Sequence, residues 1–182
     1  MKAKKVKEVM VPLSEYATVS DEDTLKTAMQ VLRKARDDKR HPYAHRAVLV
    51  FGQDGSITGK VSLFDILKAL EPKYRQFENR DHASSIGLSR FGLSQGFLNS
   101  LLEHYELWDE SLEDLVKQAS GLPVKDIMYT PGEGEYVEAD APLAEAVHQF
   151  ILGCHQSLLV IEDGRVAGIL KLSDLFDLIS DI

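Results

Sequence analysis

Val6-Lys-Glu-Val-Met10 returns 118 residues farther along as Val124-Lys-Asp-Ile-Met128, and this echo decides how the chain of 182 residues is organised. At the same shift Val19 falls on Val137, Leu25 on Leu143 and Ala28 on Ala146, so no insertion separates these positions. Farther on the shift shortens. Val48-Leu-Val50 answers to Leu158-Leu-Val160, and Asp54-Gly55 to Asp163-Gly164, because the first copy carries extra residues around Lys34 to Tyr43. Self-similarity of this kind marks one supersecondary unit used twice.

Each copy carries the same local code. Leu25, Ala28, Met29 and Leu32 stand at i, i+3, i+4 and i+7, and Leu143, Ala146, Val147 and Phe150 repeat that spacing. Both stretches therefore predict amphipathic helices, with Ser20 and Asp140 as their N-caps. Ala47 to Phe51 and Leu158 to Ile161 are short apolar runs. Each is followed by Asp-Gly and then by Ile57 to Val61 or Val166 to Leu170, the pattern of an antiparallel hairpin with a tight turn. A second helix closes each copy, through Leu63, Ile66, Leu67 and Leu70 or through Leu172, Leu175, Phe176 and Ile179, while Thr18-Val19 and Tyr136-Val137 open each copy as short strands. The predicted fold class is α+β: two βαββα repeats, 1–71 and 123–182, with a helical insert at 72–122 between them. A unit of about 60 residues buries too little surface to stand comfortably alone. The copies are therefore expected to pack sheet to sheet about a pseudo-twofold axis, with two related clefts between them as the natural place for a ligand.

Composition narrows the function. Lys and Arg number 21 against 29 Asp and Glu, a net charge of −8, so no global positive field gathers nucleic acid or an anionic membrane. Any polyanion must use a local basic pocket. Cys154 is the sole cysteine, which excludes an intramolecular disulfide and a cysteine-based zinc cluster, and it reads as a small core residue. The charged start, Met1-Lys-Ala-Lys-Lys-Val-Lys7, leads into no apolar segment, and no run approaches the roughly 18 apolar residues of a membrane span. A cytoplasmic location is the expectation.

The two copies resemble the tandem CBS domain, or Bateman module, over roughly 1–71 and 123–182. The most specific marks are the Val124-Lys-Asp-Ile-Met128 opening and a Gly-x-x-Ser/Thr-x-x-Asp element between the third strand and the last helix. Gly59-Lys-Val-Ser62-Leu-Phe-Asp65 matches that element fully, whereas Gly168-Ile-Leu-Lys171-Leu-Ser-Asp174 puts a lysine in the hydroxyl position. The resemblance implies a regulatory unit that senses adenine nucleotides or related adenosyl compounds: AMP, ADP, ATP or S-adenosylmethionine. It implies that Asp65 accepts hydrogen bonds from ribose hydroxyls and that Ser62 helps to hold the nucleoside, with Asp174 and Lys171 at the matching places of the second copy. It further implies phosphate-facing residues at the start of the second strand, His45-Arg46 and His155, with Thr18 on the opening strand completing the candidate contacts. A homodimer paired through the helices is also implied.

Each residue has a plainer reading. Ser62-x-x-Asp65 is a capping box, which stabilises a helix by about 1 kcal/mol without any ligand. Asp65 and Asp174 also suit the first turn of a helix dipole. His45 and His155, taken singly, read as solvated loop residues. His41 and His45 have an i, i+4 spacing, but Pro42 between them argues against a metal site, and the acidic Glu15, Asp21, Glu22 and Asp23 read as a solvated helix start. Gly52 to Gly55 and Gly132 to Gly134 lack the residues of a phosphate-binding loop and read as turns.

The segment Pro72 to Leu122 has no counterpart in the repeat. It begins polar at Lys73 to His82 and turns Ser- and Gly-rich from Ser84 to Gly96, where mobility is expected. Phe97, Leu101, Leu102 and Tyr105 then form one apolar stripe, and Leu112, Leu115 and Val116 another, which predict two short helices that cover the module's own core. No arrangement of nucleophile, base or metal ligands stands out and no cofactor is implied, so an enzyme is the weakest reading. The leading one is a stand-alone sensor that regulates a separate, unidentified protein. The alternative is a ligand-free dimeric scaffold that recruits a partner through the middle helices.

Overall fold

Two small sheets carry the repeats in the computed structural model, which describes residues 4–38, 45–74 and 94–181. After a two-residue strand β1 (Val11–Pro12), the first repeat runs β2 (Thr18–Ser20), α1 (Leu25–Asp37), β3 (Ala47–Phe51), β4 (Ile57–Ser62) and α2 (Leu63–Leu70). The middle segment contributes α3 (Gln95–His104) and α4 (Leu112–Ala119), and α5 (Val124–Ile127) leads into the second repeat. That repeat runs β5 (Tyr136–Glu138), α6 (Leu143–Gly153), β6 (Ser157–Glu162), β7 (Arg165–Lys171) and α7 (Leu172–Ser180). The sheet orders are β2-β3-β4 and β1-β7-β6-β5.

The register repeats as faithfully as the sequence. β2 lies parallel to β3 with Thr18 opposite Leu49, and β5 lies parallel to β6 with Tyr136 opposite Leu159. Both antiparallel hairpins slip by one residue at the same place, between Val50 and Phe51 and between Val160 and Ile161. The second hairpin turns through Asp163 and Gly164, both at positive φ, which matches the twist of its strands.

Two expected helix caps are different residues in the structure. Thr24, not Ser20, caps α1, accepting a bond from the Thr27 N–H at 3.3 Å. Ser20 belongs to a tighter turn before it, where its N–H donates to Asp23 at 2.8 Å and its hydroxyl accepts from Glu22. Pro142 rather than Asp140 occupies the start of α6, and no side chain caps it. Asp140 instead binds Lys5 at 2.6 Å and Lys7 at 3.0 Å, two cations that hold its carboxyl below the usual range.

The packing units are not the sequence repeats. Val6, Val9 and Met10 pack with Val137, Ala146, Phe150, Leu158 and Leu170 of the second repeat. Reciprocally, Val124, Ile127 and Met128 pack with Val19, Leu25, Ala28 and Val50 of the first. Each copy thus lends its opening segment to the other. The exchanged backbone bonds show the pseudo-twofold: Val6 N–H donates to Ala141 and Lys7 N–H to Ala139, while Val124 N–H donates to Asp23 and Lys125 N–H to Asp21. A third cluster, Val11, Tyr16, Leu49, Leu159 and Ile169, joins the two sheets across the seam.

The repeated glycine of the Gly-x-x-Ser/Thr-x-x-Asp element has its reason here. A Cβ on Gly59 would stand 2.7 Å from Met128 Sδ and 2.9 Å from the Tyr129 carbonyl oxygen. A Cβ on Gly168 would collide with the Val11 carbonyl oxygen and crowd Met10 Sδ. Only glycine admits the borrowed segment this close to the strand.

Both middle helices form, but they differ in burial. α4 buries Leu115 and Ala119, and Ala119 joins the first repeat's core, so this helix covers the module as expected. α3 leaves Phe97, Leu98 and Leu102 exposed among the described residues, because its apolar stripe meets no core there. The buried Glu71 at the end of α2 accepts from the N–H groups of Lys73 and Trp108, and Lys73 Nζ donates to the Glu106 carbonyl. The Ser- and Gly-rich expectation over Ser84 to Gly96 falls almost wholly outside the described residues, as does His41. Cys154 is exposed rather than a core residue: it ends α6 in the left-handed region at φ 52°, where the helix turns out of the core.

Candidate functional site

The ends of β4 and β7 and the starts of β3 and β6 lie at one edge of the seam, and there they enclose a cavity of about 470 Å³. Equivalent positions of the two copies face it together: Arg46 with Gln156, Ala47 with Ser157, Ser62 with Lys171, and Phe64 with Ser173. The two expected clefts are thus joined into one at this edge. A separate, smaller cavity of about 190 Å³ lies between α2 and the borrowed segment Asp126 to Thr130.

In the first copy the capping box is realised. Ser62 Oγ accepts from the Asp65 N–H at 3.2 Å, while the Ser62 N–H and hydroxyl donate to Asp65 Oδ2 at 2.8 and 2.6 Å. Both side chains also line the cavity. Capping engages one carboxylate oxygen and leaves Oδ1 without a hydrogen-bond partner among the described residues, so capping and ligand contact are compatible.

The second copy solves the same helix start differently. Lys171 offers no hydroxyl to cap α7; its ammonium instead pairs with Asp174 Oδ1 at 3.1 Å. Both are buried, and Ser173 Oγ also donates to Oδ1 at 3.2 Å. Asp174 Oδ2 is buried with no hydrogen-bond partner among the described residues. The neighbouring Tyr16 phenol is pushed up to about 12, first by burial and then by the Asp174 carboxylate.

Of the eight residues picked from the sequence, Asp65, Ser62, Arg46, Lys171 and His155 line the cavity. Thr18 sits half-buried in β2, and Asp174 lies behind Lys171; neither is part of the cavity wall. His45 is not a solvated loop residue: it is 3% exposed and stands edge-on to Tyr16, ring centres 4.7 Å apart. The apolar strand that follows draws it inward. His155 is half-buried at the cavity, with its ring where a side chain at Gly153 would lie.

Sequence reasoning missed a charged group in the cavity wall. Lys60 Nζ pairs with Glu135 Oε1 at 2.8 Å, and the Tyr129 hydroxyl and Gly132 N–H donate to Oε2 at 2.6 and 3.1 Å. Lys60 also lies 5.1 Å from the Tyr129 ring centre. Burial opposes ionisation of Glu135, but the bonds from Lys60 and Tyr129 prevail and hold its carboxyl below the usual range. The same bond, with burial second, pushes the Tyr129 phenol up to about 12. Lys60 inside the Gly-x-x-Ser/Thr-x-x-Asp element, at a place where the second copy has Ile169, was the available signal. Among the described residues no group of acidic, histidine or cysteine side chains is arranged to hold a metal ion.

The family model for the CBS domain matches residues 6–72 and again 122–181. No curated protein matches the sequence. Among solved structures, CBSX2 in complex with AMP is similar with a TM-score of 0.59 at 16% identity, over 97% of this chain and 96% of that one. A CBS domain-containing protein of unknown function from Bacillus anthracis gives 0.62 at 18% identity, over 98% and 94%. The CBS domains of a transcriptional regulator from Streptococcus pneumoniae give 0.57 at 14% identity, over 96% and 98%. At such identities the likeness establishes a shared fold.

Proposed function

The chain belongs to the CBS domain family, and from that membership we propose that it is a non-enzymatic regulatory sensor. An adenine nucleotide or adenosyl compound binds in the cleft between the repeats and shifts the balance between two arrangements of a homodimer. The effect on a separate cytoplasmic protein is then set by the ligand's differential affinity for the two states. The observation that carries this reading is the cavity itself, where the open oxygen of Asp65 and the hydroxyl of Ser62 share one enclosure with the cations Arg46, Lys60 and Lys171. A carboxylate accepts from two neighbouring ribose hydroxyls, and cations receive a phosphate. A volume of about 470 Å³ is within the ordinary range for a small-ligand site. The neighbour crystallised with AMP supports the choice of ligand class. In the second copy's half of the cleft the matching carboxylate, Asp174, is taken up by the buried pair with Lys171 behind the cavity wall, so one ligand per chain, seated on Asp65, is the expected stoichiometry.

A second reading, a ligand-free scaffold, draws on the exposed Phe97, Leu98 and Leu102 of α3, which offer a partner an apolar face. Thermal unfolding with AMP, ADP, ATP and S-adenosylmethionine separates the two. Ligand at 100 times its dissociation constant adds about 2.7 kcal/mol of stability, and Asp65→Ala is expected to abolish that gain. No shift with any of the four would turn the assignment to the scaffold.

A further inference from the structure

The Lys60–Tyr129–Glu135 group is an asymmetry that the duplication leaves unexplained. At the matching shifts the other half of the seam has Ile169, Val11 and Ala17, and there an apolar strand pairing, Val11 with Ile169, closes the structure. The isolated bridge between Lys60 and Tyr129 repeats that backbone pairing, so the fold obtains the same closure with or without the charges. Exchanging a buried ion pair for apolar residues is often neutral or stabilising, which leaves stability a weak reason for this one. Its setting points to a ligand. Lys60 and Glu135 are 18% and 6% exposed in their side chains, and both line the cavity that holds Ser62 and Asp65. One carboxylate there receives an ammonium, a phenol hydroxyl and a backbone N–H, a set of donors that suits a phosphate equally well.

We infer that Glu135 occupies the seat of a ligand phosphate: its carboxylate is a built-in competitor that the phosphate of an entering nucleotide displaces from Lys60. The inference rests on the reading of the cleft as a nucleotide site and adds to it a basis for selecting phosphorylated ligands over the bare nucleoside. Lys60 and Tyr129 are the selecting residues, and Glu135 sets how strongly the phosphate must bind before it wins.

Calorimetric titration of the full chain with AMP and with adenosine tests this. Glu135→Gln keeps the size of the side chain and an acceptor for Tyr129 while removing the competing charge. If Lys60 is free about a tenth of the time in the wild type, that variant binds AMP about tenfold more tightly and adenosine unchanged. In the double variant K60M/E135Q the preference for AMP over adenosine falls below that of the wild type, with Arg46 and Lys171 as the remaining cations of the cavity. A crystal of the wild type with AMP gives a readout that needs no variant: Lys60 Nζ is expected within hydrogen-bond distance of the phosphate and beyond ion-pair distance of Glu135. AMP bound with the Lys60–Glu135 pair intact, or an unchanged or weakened AMP affinity in Glu135→Gln, overturns the inference while leaving the nucleotide site standing. Failure of wild type and folded variants alike to bind either compound would remove both.

Discussion

Gly59 and Gly168 show how a single missing methyl group holds the two halves together. Each lies under the other copy's opening segment, and in each case the absence of Cβ is what permits the approach. The two sites are not equal. A Cβ on Gly59 would meet the Met128 sulfur first and the Tyr129 carbonyl oxygen at 2.9 Å, whereas on Gly168 it would meet the Val11 carbonyl oxygen first and much more closely, and that oxygen moves only if β1 moves. Gly59→Ala is expected to destabilise by about 1 kcal/mol and Gly168→Ala by about 3 kcal/mol, the range for overpacking. Urea unfolding with an unchanged m-value would check the order, and equal costs would contradict it. These glycines could be found in the sequence as part of a repeated element, but the reason for them could not. It depends on atoms about 70 residues away for Gly59 and more than 150 away for Gly168, brought in by exchange of the segments. The same holds for Glu135, which no motif singles out: Lys60, 75 residues away, meets its carboxylate only in the folded chain.

The elements themselves were readable because each is written in local periodicity. Leu25, Ala28 and Leu32 mark the buried stripe of α1, and the Asp-Gly pairs mark the hairpins. Caps were less readable, since Ser20 and Thr24 are both capable of the role and the turn around Asp23 decides between them. The element that periodicity hid is the opening segment. Val6 to Val11 looks like a prelude to the first repeat but contributes Val6, Val9 and Met10 to the second repeat's core and β1 to its sheet. Deleting residues 1–12 is therefore expected to unfold the C-terminal repeat before the N-terminal one, at a cost above about 5 kcal/mol, comparable to the stability of a small domain. Hydrogen exchange is the measurement: loss of protection confined to β2, β3 and β4 would sink the idea.

For the molecule as a unit, the helices α2 and α7 both leave large apolar side chains exposed among the described residues. Phe64 is 73% exposed and Phe176 67%, with Leu67 and Ile179 also exposed. Leu67 and Phe176 are equivalent residues of the two repeats, so the repeats offer matching apolar positions to a second copy. Light scattering at micromolar concentration is expected to give twice the 20.3 kDa chain mass, and Phe176→Glu a folded monomer with an unchanged far-ultraviolet spectrum. A wild-type monomer would argue against signalling through a dimer.

The duplication, the type and order of the repeated elements and the CBS likeness followed from the sequence, because hydrophobic spacing and turn chemistry act over a few residues. The tertiary structure alone decided that the opening segments are exchanged, that His45 is buried and Cys154 exposed, and that matching positions of both copies meet in one cavity. It alone set Lys60 against Glu135, 75 residues apart. Those outcomes depend on which surfaces meet when two similar units close on each other, and contacts between residues far apart in the chain leave no period in the sequence from which to read them.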